Sequence, residues 1–385
     1  PRRVFRCGWW TARCRSGTIG GTDLQEAYLD TLTHALTGVL AARVVAPVAL
    51  SRGLDAPVVP GLAACLLVGF FAGAFPDIDS LLGLVSPIAY LTGHRGLTHS
   101  LLMLPAWAAL LAWLFSGFGR RREFIRPFFI ISAAALAVHV AGDLVTAFGT
   151  MLLEPLSDRR FALSTTFIID LWFSGIVLAG VLATVVLPRW RLPAVAALVV
   201  LSGYVVLSSV QHDRALDVGL ARAAANGWAD AKVTAVPRPV SPFNWMVVVE
   251  DGERYEHAQV NLRRAEVLVA GEDAGFVRRL DAAYRPVDQA SWAPATRFGL
   301  DEDAREIAQA AWDHPDFAVM RWFYALPALY AIQRTGGEQC AWFQDLRFSV
   351  PARASVPFRY GMCRASPSAP WQRFEMVGED GRRPL

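Results

Sequence analysis

The chain has 385 residues, of which 54% are apolar and 18% charged, and its mean hydropathy is positive. These values exclude a disordered, collagenous or disulfide-dense secreted chain and fit a membrane protein carrying an additional water-soluble part. The formal charge of +3 is held by residues 1–28, where five arginines face Asp23 and Glu26. The remainder balances, so no nucleic-acid footprint is left.

The opening segment PRRVFRCGWWTARCRSGTIGG shows neither a helical nor a strand period, and it lacks the continuous apolar core of a signal peptide. Gln25-Glu26-Ala27 can be encoded by a stretch that contains a ribosome-binding sequence, with Leu29 at the spacing of a start codon. The expectation is that 1–28 form a non-native upstream extension and that the native protein begins at residue 29. Cys7 and Cys14 therefore carry little weight.

From 29 to 210 the sequence is a series of apolar stretches near bilayer length, about 20 residues each. Six spans are expected, roughly at 31–50, 58–75, 97–116, 126–148, 168–187 and 192–210. Arg43 and Pro47 interrupt the first, which reads as half-buried or re-entrant. Pro76, Pro127, Pro188 and Pro193 stand where helices should start or stop. Arg120, Arg121, Arg122 and Arg126 lie between spans three and four, and Arg189 and Arg191 between five and six. The positive-inside rule makes both loops cytoplasmic, as Arg43 and Arg52 also suggest. The 76–96 and 149–167 connections, and both termini, then face outward.

After Gln211 the pattern changes. HDRALDVGLARAAANGW and DEDAREIAQAAWDH read as amphipathic helices, and AKVTAV, WMVVVE, ALYAIQ, AWFQDLRF, PFRYGMC and WQRFEMV as short strands. The expected architecture is an α-helical membrane bundle over 29–210, followed by a small α+β domain with an antiparallel sheet over 211–385. Outside the cytoplasm Cys340 and Cys363 could be bonded. Two unpaired buried thiols are an equal alternative.

Ionisable groups in or beside membrane spans are costly and mark candidate sites. Asp30 and His34 open span one as D-T-L-T-H, one helical turn apart. FPDIDS ends span two with Asp77 and Asp79; HRGLTHS opens span three with His94 and His99; HVAGD ends span four with His139 and Asp143. The orientation derived from loop charge brings these four segments to one membrane side. Imidazole with carboxylate oxygen suits Zn²⁺, Mn²⁺ or Fe²⁺, and the absence of cysteine ligands argues against a structural zinc site. More than four ligands would allow a two-metal site that clamps a phosphoryl group.

DTLTHALTG, FPDIDS, HRGLTHSLL and HVAGDLVTAFGT resemble the signature blocks of the LexA-regulated, inner-membrane metal-dependent hydrolase family (YdjM-like). The resemblance covers about residues 29–175, and PRPVSPFNWMVVVE and the DLRF run resemble the C-terminal extension of longer members. It implies a multi-pass protein of the bacterial inner membrane with hydrolase activity. By position it carries over His34, Asp77, Asp79, His94, His99, His139 and Asp143 as polar site residues.

The resulting reading is a membrane-embedded hydrolase using Zn²⁺ or Mn²⁺ at the outer membrane–water boundary. Asp79 or Asp143 would be the base, and a phosphoester or lipid-linked molecule the substrate. The rivals are an ion- or proton-coupled transporter using the same groups, and a metal-stabilised scaffold without catalysis. Asp170 reads as a helix cap or an orienting carboxylate. Arg95 reads as a lipid-headgroup anchor. Arg159 and Arg160 read as surface arginines, with phosphate binding as the alternative. His212, His257 and His314 show no partner pattern.

Overall fold

The computed structural model describes residues 21–47, 59–271, 273–351, 356–378 and 381–385, with side chains from Asp30 onward. The expected upstream extension up to residue 20, and Arg52, lie outside the described residues.

Among the described residues seven helices build the N-terminal bundle. They are α1 (Gly21–Val45), α2 (Leu62–Ala74), α3 (Pro87–Gly93), α4 (Leu104–Phe115), α5 (Ile125–Leu144), α6 (Leu171–Val186) and α7 (Leu192–Ala225). Pro76 falls where α2 tightens into a 3-10 segment over Phe75–Leu84, and a second 3-10 turn spans Leu97–His99. Pro193 sits in the first turn of α7, where its missing N–H costs no helical bond.

Small residues bring α1 and α2 together almost backbone to backbone. A Cβ on Gly38 would stand 2.3 Å from the carbonyl oxygen of Gly69, and one on Gly73 would stand 2.7 Å from that of His34. This is the close approach that small residues four apart permit between membrane helices. Ala42, Cys65, Val68, Ala112, Phe128 and Ile131 fill the space where α1, α2, α4 and α5 meet. Leu40, Val177, Ala194 and Leu201 join α1 to the α6–α7 hairpin. Leu67, Phe71, Leu178, Leu182, Val199 and Val206 point outward, as a lipid-facing surface requires.

The expectation of six spans is not supported. Among the described residues three helical stretches are long and apolar enough to cross a membrane: Leu62–Leu84, Arg122–Leu144 and Leu192–Ala225. A fourth is reached if Pro87–His99 and Leu104–Phe115 count together, but they meet at a bend of 78°. The bend falls where HRGLTHS turns inward, and α4 keeps only 12 residues, about 18 Å of helix against a hydrocarbon core of about 30 Å. α6 has 16 residues and is also short. α1 is long but carries Asp30 and Arg43.

Arg43 is buried. It donates through Nη2 to the Pro188 carbonyl at 2.9 Å, while Arg191 donates to the carbonyl of Ala46. The Arg-rich turns 116–124 and 187–191 therefore lie at the end of the bundle opposite Asp30, Asp77 and Asp143.

α7 passes unbroken through residue 210 into the C-terminal part, where Gly219 lets it lie against Val233 and Val247. Among the described residues two five-stranded sheets follow, where a single sheet was expected. The first has the order β1 (Lys232–Pro237), β2 (Asn244–Asp251), β3 (Arg254–Asn261), β4 (Arg285–Pro286), with β5 (Ala293–Thr296) also pairing β3. Its pairings are antiparallel except β3–β4. The second is an antiparallel meander of β6 (Pro327–Thr335), β7 (Glu338–Asp345), β8 (Tyr360–Arg364), β9 (Gln372–Val377) and β10 (Gly381–Pro384). Val236, Met246, Tyr255, Leu326 and Leu346 form a core between the sheets. The short helix α8 (Phe276–Ala282) follows β3. The amphipathic helix α9 (Glu302–Asp313) is capped by Asp301, which accepts from the Ala304 N–H, and it buries Ile307, Ala308 and Ala311.

The strands β7 and β8 place Cys340 opposite Cys363, and the two are disulfide-bonded. The DLRF run ties this part to the bundle. Asp345 is fully buried and accepts from the backbone N–H of Ala325 and of Arg347. Arg347 donates to the carbonyls of Ala147, Phe148 and Phe323. Arg238, from the PRPVSPFNW block, donates to the carbonyls of Leu346 and Arg347. Burial pulls its pKa down to about 10. Leu91 and Phe148 enter the same aromatic core as Phe317, Phe323 and Phe343. The C-terminal part thus rests on the end of the bundle that carries the His/Asp segments.

Candidate metal centre

The four polar segments meet. Asp77, His99, His139 and Asp143 each offer one ligand atom, all within 4.8 Å of one another, and all four are buried. A second group, Asp30, His34 and Asp143, adjoins the first and shares Asp143 with it.

Local structure explains why these side chains face inward. His139 and Asp143 lie one turn apart on α5, and Asp30 and His34 one turn apart on α1, so each pair shares a helix face. Gly142 leaves room for the His34 ring, since a Cβ there would stand 2.8 Å from His34 Cε1. The 3-10 turn that carries His99 brings its ring against His139 and Asp143 of α5.

The two histidines of the first group are held by their outer nitrogens. His139 Nδ1 is 2.6 Å from the Gly73 carbonyl and donates its proton there. His99 Nδ1 is 3.1 Å from Asp79 Oδ2 and 3.0 Å from Thr98 Oγ1, whose own proton goes to Asp79 Oδ2 at 2.6 Å. The carboxylate draws the His99 proton to Nδ1. With its proton on Nδ1, each neutral ring presents Nε2 as an acceptor, and the two Nε2 atoms face each other at 3.0 Å. Asp143 Oδ2 lies 2.9 Å from His99 Nε2 and 3.3 Å from His139 Nε2. Asp77 Oδ1 is 3.8 Å and 3.6 Å from the same two nitrogens, and Asp77 Oδ2 is buried with no hydrogen-bond partner. With both rings neutral, four acceptors converge. A cation resolves that conflict, and two imidazole nitrogens with two carboxylates suit Zn²⁺, Mn²⁺ or Fe²⁺.

Asp79 and His94, expected at the focus, stand behind it. Asp79 Oδ1 is 2.7 Å from His94 Nδ1, and Oδ2 accepts from Thr98 Oγ1 and from the backbone N–H of Arg95 at 3.0 Å. With both oxygens engaged this way, Asp79 reaches the centre only through His99. His94 stacks on Tyr90 with ring centroids 4.5 Å apart.

Arg95 corrects the sequence reading most sharply. It is 1% exposed, with Nη2 2.8 Å from Asp143 Oδ1 and 3.1 Å from Asp30 Oδ2. A headgroup anchor would be exposed; this guanidinium is enclosed by carboxylates. A charged residue between two candidate ligand histidines in an otherwise apolar stretch was the signal that could have found it. Thr98 and Thr146 were also missed, because threonine is unremarkable beside a membrane helix.

Arg160 is not a free surface arginine. It donates to the carbonyls of Leu91, His94 and Gly149 and lies over Phe148 and Trp322. Arg159 is exposed above Phe161. Asp170 caps α6, accepting from the N–H groups of Trp172 and Phe173 through one oxygen and from Tyr204 through the other. His212, His257 and His314 lie in the C-terminal extension of α7, in β3 and after α9, away from the centre.

A bundle of apolar helices with a buried His/Asp cluster at one end defines a membrane protein with a candidate metal centre. Residues 29–215 match the family described as YdjM inner membrane protein, and every residue of the cluster lies within the match. Over 139 residues the chain is 30% identical to "Uncharacterized protein YfhP" of Bacillus subtilis (strain 168), an overlap of 35% of this chain and 40% of that protein. The overlap thus spans less than half the length of that relative. No solved structure matches the chain. The family and the apolar helices together support a membrane location.

Proposed function

We propose that the chain is a membrane-bound, metal-dependent hydrolase whose centre is formed by Asp77, His99, His139 and Asp143. The observation that carries this reading is the convergence of two imidazole Nε2 atoms and two carboxylates on one buried point. A bound divalent cation supplies Lewis-acid polarisation of a substrate oxygen and activation of water. The protein's own contribution is positional. Gly73 and Asp79 fix the ring orientation and tautomer of His139 and His99. The unpartnered Oδ2 of Asp77 is the group placed to accept a proton at the centre.

A lipid-linked phosphoester is the substrate class we favour. A cleft of about 420 Å³ lies between Ile78, Leu81, Leu82, Val85 and Leu97, with Asp79, Thr98 and Glu154 as its polar lining. Asp79 and Thr98 also hold the back of His99, so an apolar tail in this cleft would sit beside the centre. We place the centre and the C-terminal part outside the cytoplasm. The Cys340–Cys363 bond and the Arg-rich turns at the opposite end of the bundle support that side.

The test is metal analysis of the detergent-purified chain, followed by turnover of a phosphoester panel. Stoichiometric metal is expected in wild type and strongly reduced metal in His99→Ala and Asp143→Ala, with His257→Ala unchanged. Full retention in both variants, or no metal in well-folded wild type, removes the reading and puts the proton-pathway alternative ahead. Metal without turnover favours the scaffold.

A further inference from the structure

We propose that the Arg95 guanidinium occupies the place of a second cation at this centre, so that each chain holds one divalent metal and one built-in organic cation. The inference rests on the metal reading above. The second group, Asp30, His34 and Asp143, has the composition of another metal site and shares Asp143 with the first. A carboxylate bridging two ions about 3.5–4 Å apart is the common arrangement in two-metal hydrolases. Here the two oxygens of Asp143 do divide their work. Oδ2 faces His99 and His139, whereas Oδ1 lies 3.2 Å from His34 Nε2 and 2.8 Å from Arg95 Nη2. Arg95 Nη2 also reaches Asp30 Oδ2 at 3.1 Å. The carboxylates a second ion would use are already bridged by a positive charge.

The guanidinium is fixed there from several sides. Nη1 donates to Thr146 Oγ1 at 2.6 Å and to the Asp143 carbonyl at 3.3 Å. The backbone N–H donates to Asp79, and the guanidinium carbon lies 5.2 Å from the centre of the Phe148 ring. The backbone of Arg95 is in the left-handed region, with φ 58°, a costly conformation for a residue with a Cβ. That cost is offset only while the side chain keeps its ring of partners. Arginine stays charged at any working pH, so the position does not open by deprotonation. A dication beside Asp30 would have to displace a buried cation already paired with Asp30 and Asp143, or sit against it.

The experiment is metal counting by plasma mass spectrometry on the full chain in detergent, loaded with Zn²⁺ and dialysed. Wild type should hold one Zn²⁺ per chain, Arg95→Ala two, and the Arg95→Ala/His34→Ala double variant one again. A merely structural role for Arg95 would lower the count, not raise it. In the wild-type background, Asp30→Asn and His34→Ala should leave the count at one, which decides the matter even if Arg95→Ala does not fold. Two ions in wild type, a fall in either wild-type-background variant, or a folded Arg95→Ala still at one overturns the proposal and leaves the Asp77/His99/His139/Asp143 reading standing. No metal in folded wild type removes both.

Discussion

His99 Nε2 and His139 Nε2 stand 3.0 Å apart, and with both rings neutral neither has a proton to offer the other. Each has its Nδ1 proton committed outward, to Asp79 and to the Gly73 carbonyl. Such a pair, with Asp143 and Asp77 beside it, is held together by a cation or pushed apart without one. Chelation should therefore lower the melting temperature of wild type in detergent. A ligand at about a hundred times its Kd contributes about 2.7 kcal/mol. The Asp143→Ala variant should respond much less to the same chelator. An identical response in both, followed by differential scanning fluorimetry, would count against the centre.

Asp79 orients His99 through its outer nitrogen. Asp79→Asn should keep the fold but weaken metal affinity about 10–100-fold, the usual cost of losing an outer carboxylate partner. Competition against a chromogenic chelator measures it. An affinity as low as that of His99→Ala would mean that Asp79 is itself a ligand.

The α1–α2 contact predicts opposite signs for the same substitution at different glycines. Gly38→Ala and Gly73→Ala place a methyl against backbone atoms and should each destabilise by about 1–3 kcal/mol. Gly175 and Gly203 lie in α6 and α7 with open space at the Cβ position. There alanine should be neutral or stabilising by about 0.5–1 kcal/mol, because glycine is costly within a helix. Thermal unfolding of the four variants in one detergent separates the cases. Uniform effects would contradict the packing.

Cys340 and Cys363 close a separation of 23 residues within one sheet. Loss of the bond by Cys340→Ser should cost about 3 kcal/mol. Alkylation after denaturation without reductant should leave these two cysteines unlabelled and modify Cys65. A reporter fused after residue 385 should be active outside the cytoplasm, and activity confined to the cytoplasm would reverse the proposed orientation.

Arg347 links the second sheet to the loop after α5 through the carbonyls of Ala147 and Phe148. Phe148 in turn lies under Arg95. Arg347→Ala should cost about 3–5 kcal/mol by leaving the buried Asp345 carboxylate with no opposite charge, only backbone N–H partners. It should also loosen Zn²⁺ binding, though less than Asp79→Asn. Unchanged stability would show that the DLRF run does not support the centre.

Much of the centre was legible before any coordinates. Asp30 with His34, and His139 with Asp143, announce a shared face by spacing alone, because helical geometry puts residues four apart side by side. Loop arginines then indicated that the ends of four segments share one side, and Asp77, His99, His139 and Asp143 do meet there. Both are local or one-dimensional signals, so a sequence can carry them. Tertiary structure decided the rest. Whether 97–116 runs straight or breaks at 78° depends on where His99 must point, and hydropathy is blind to that. Whether Asp79 is a ligand or holds one depends on which oxygen faces which nitrogen. Arg95 has the same composition and neighbours as a headgroup anchor. Only the packing of α1 and α5 around it turns that charge into the partner of Asp30 and Asp143, because burial and pairing are properties of three-dimensional neighbours and not of spacing along the chain.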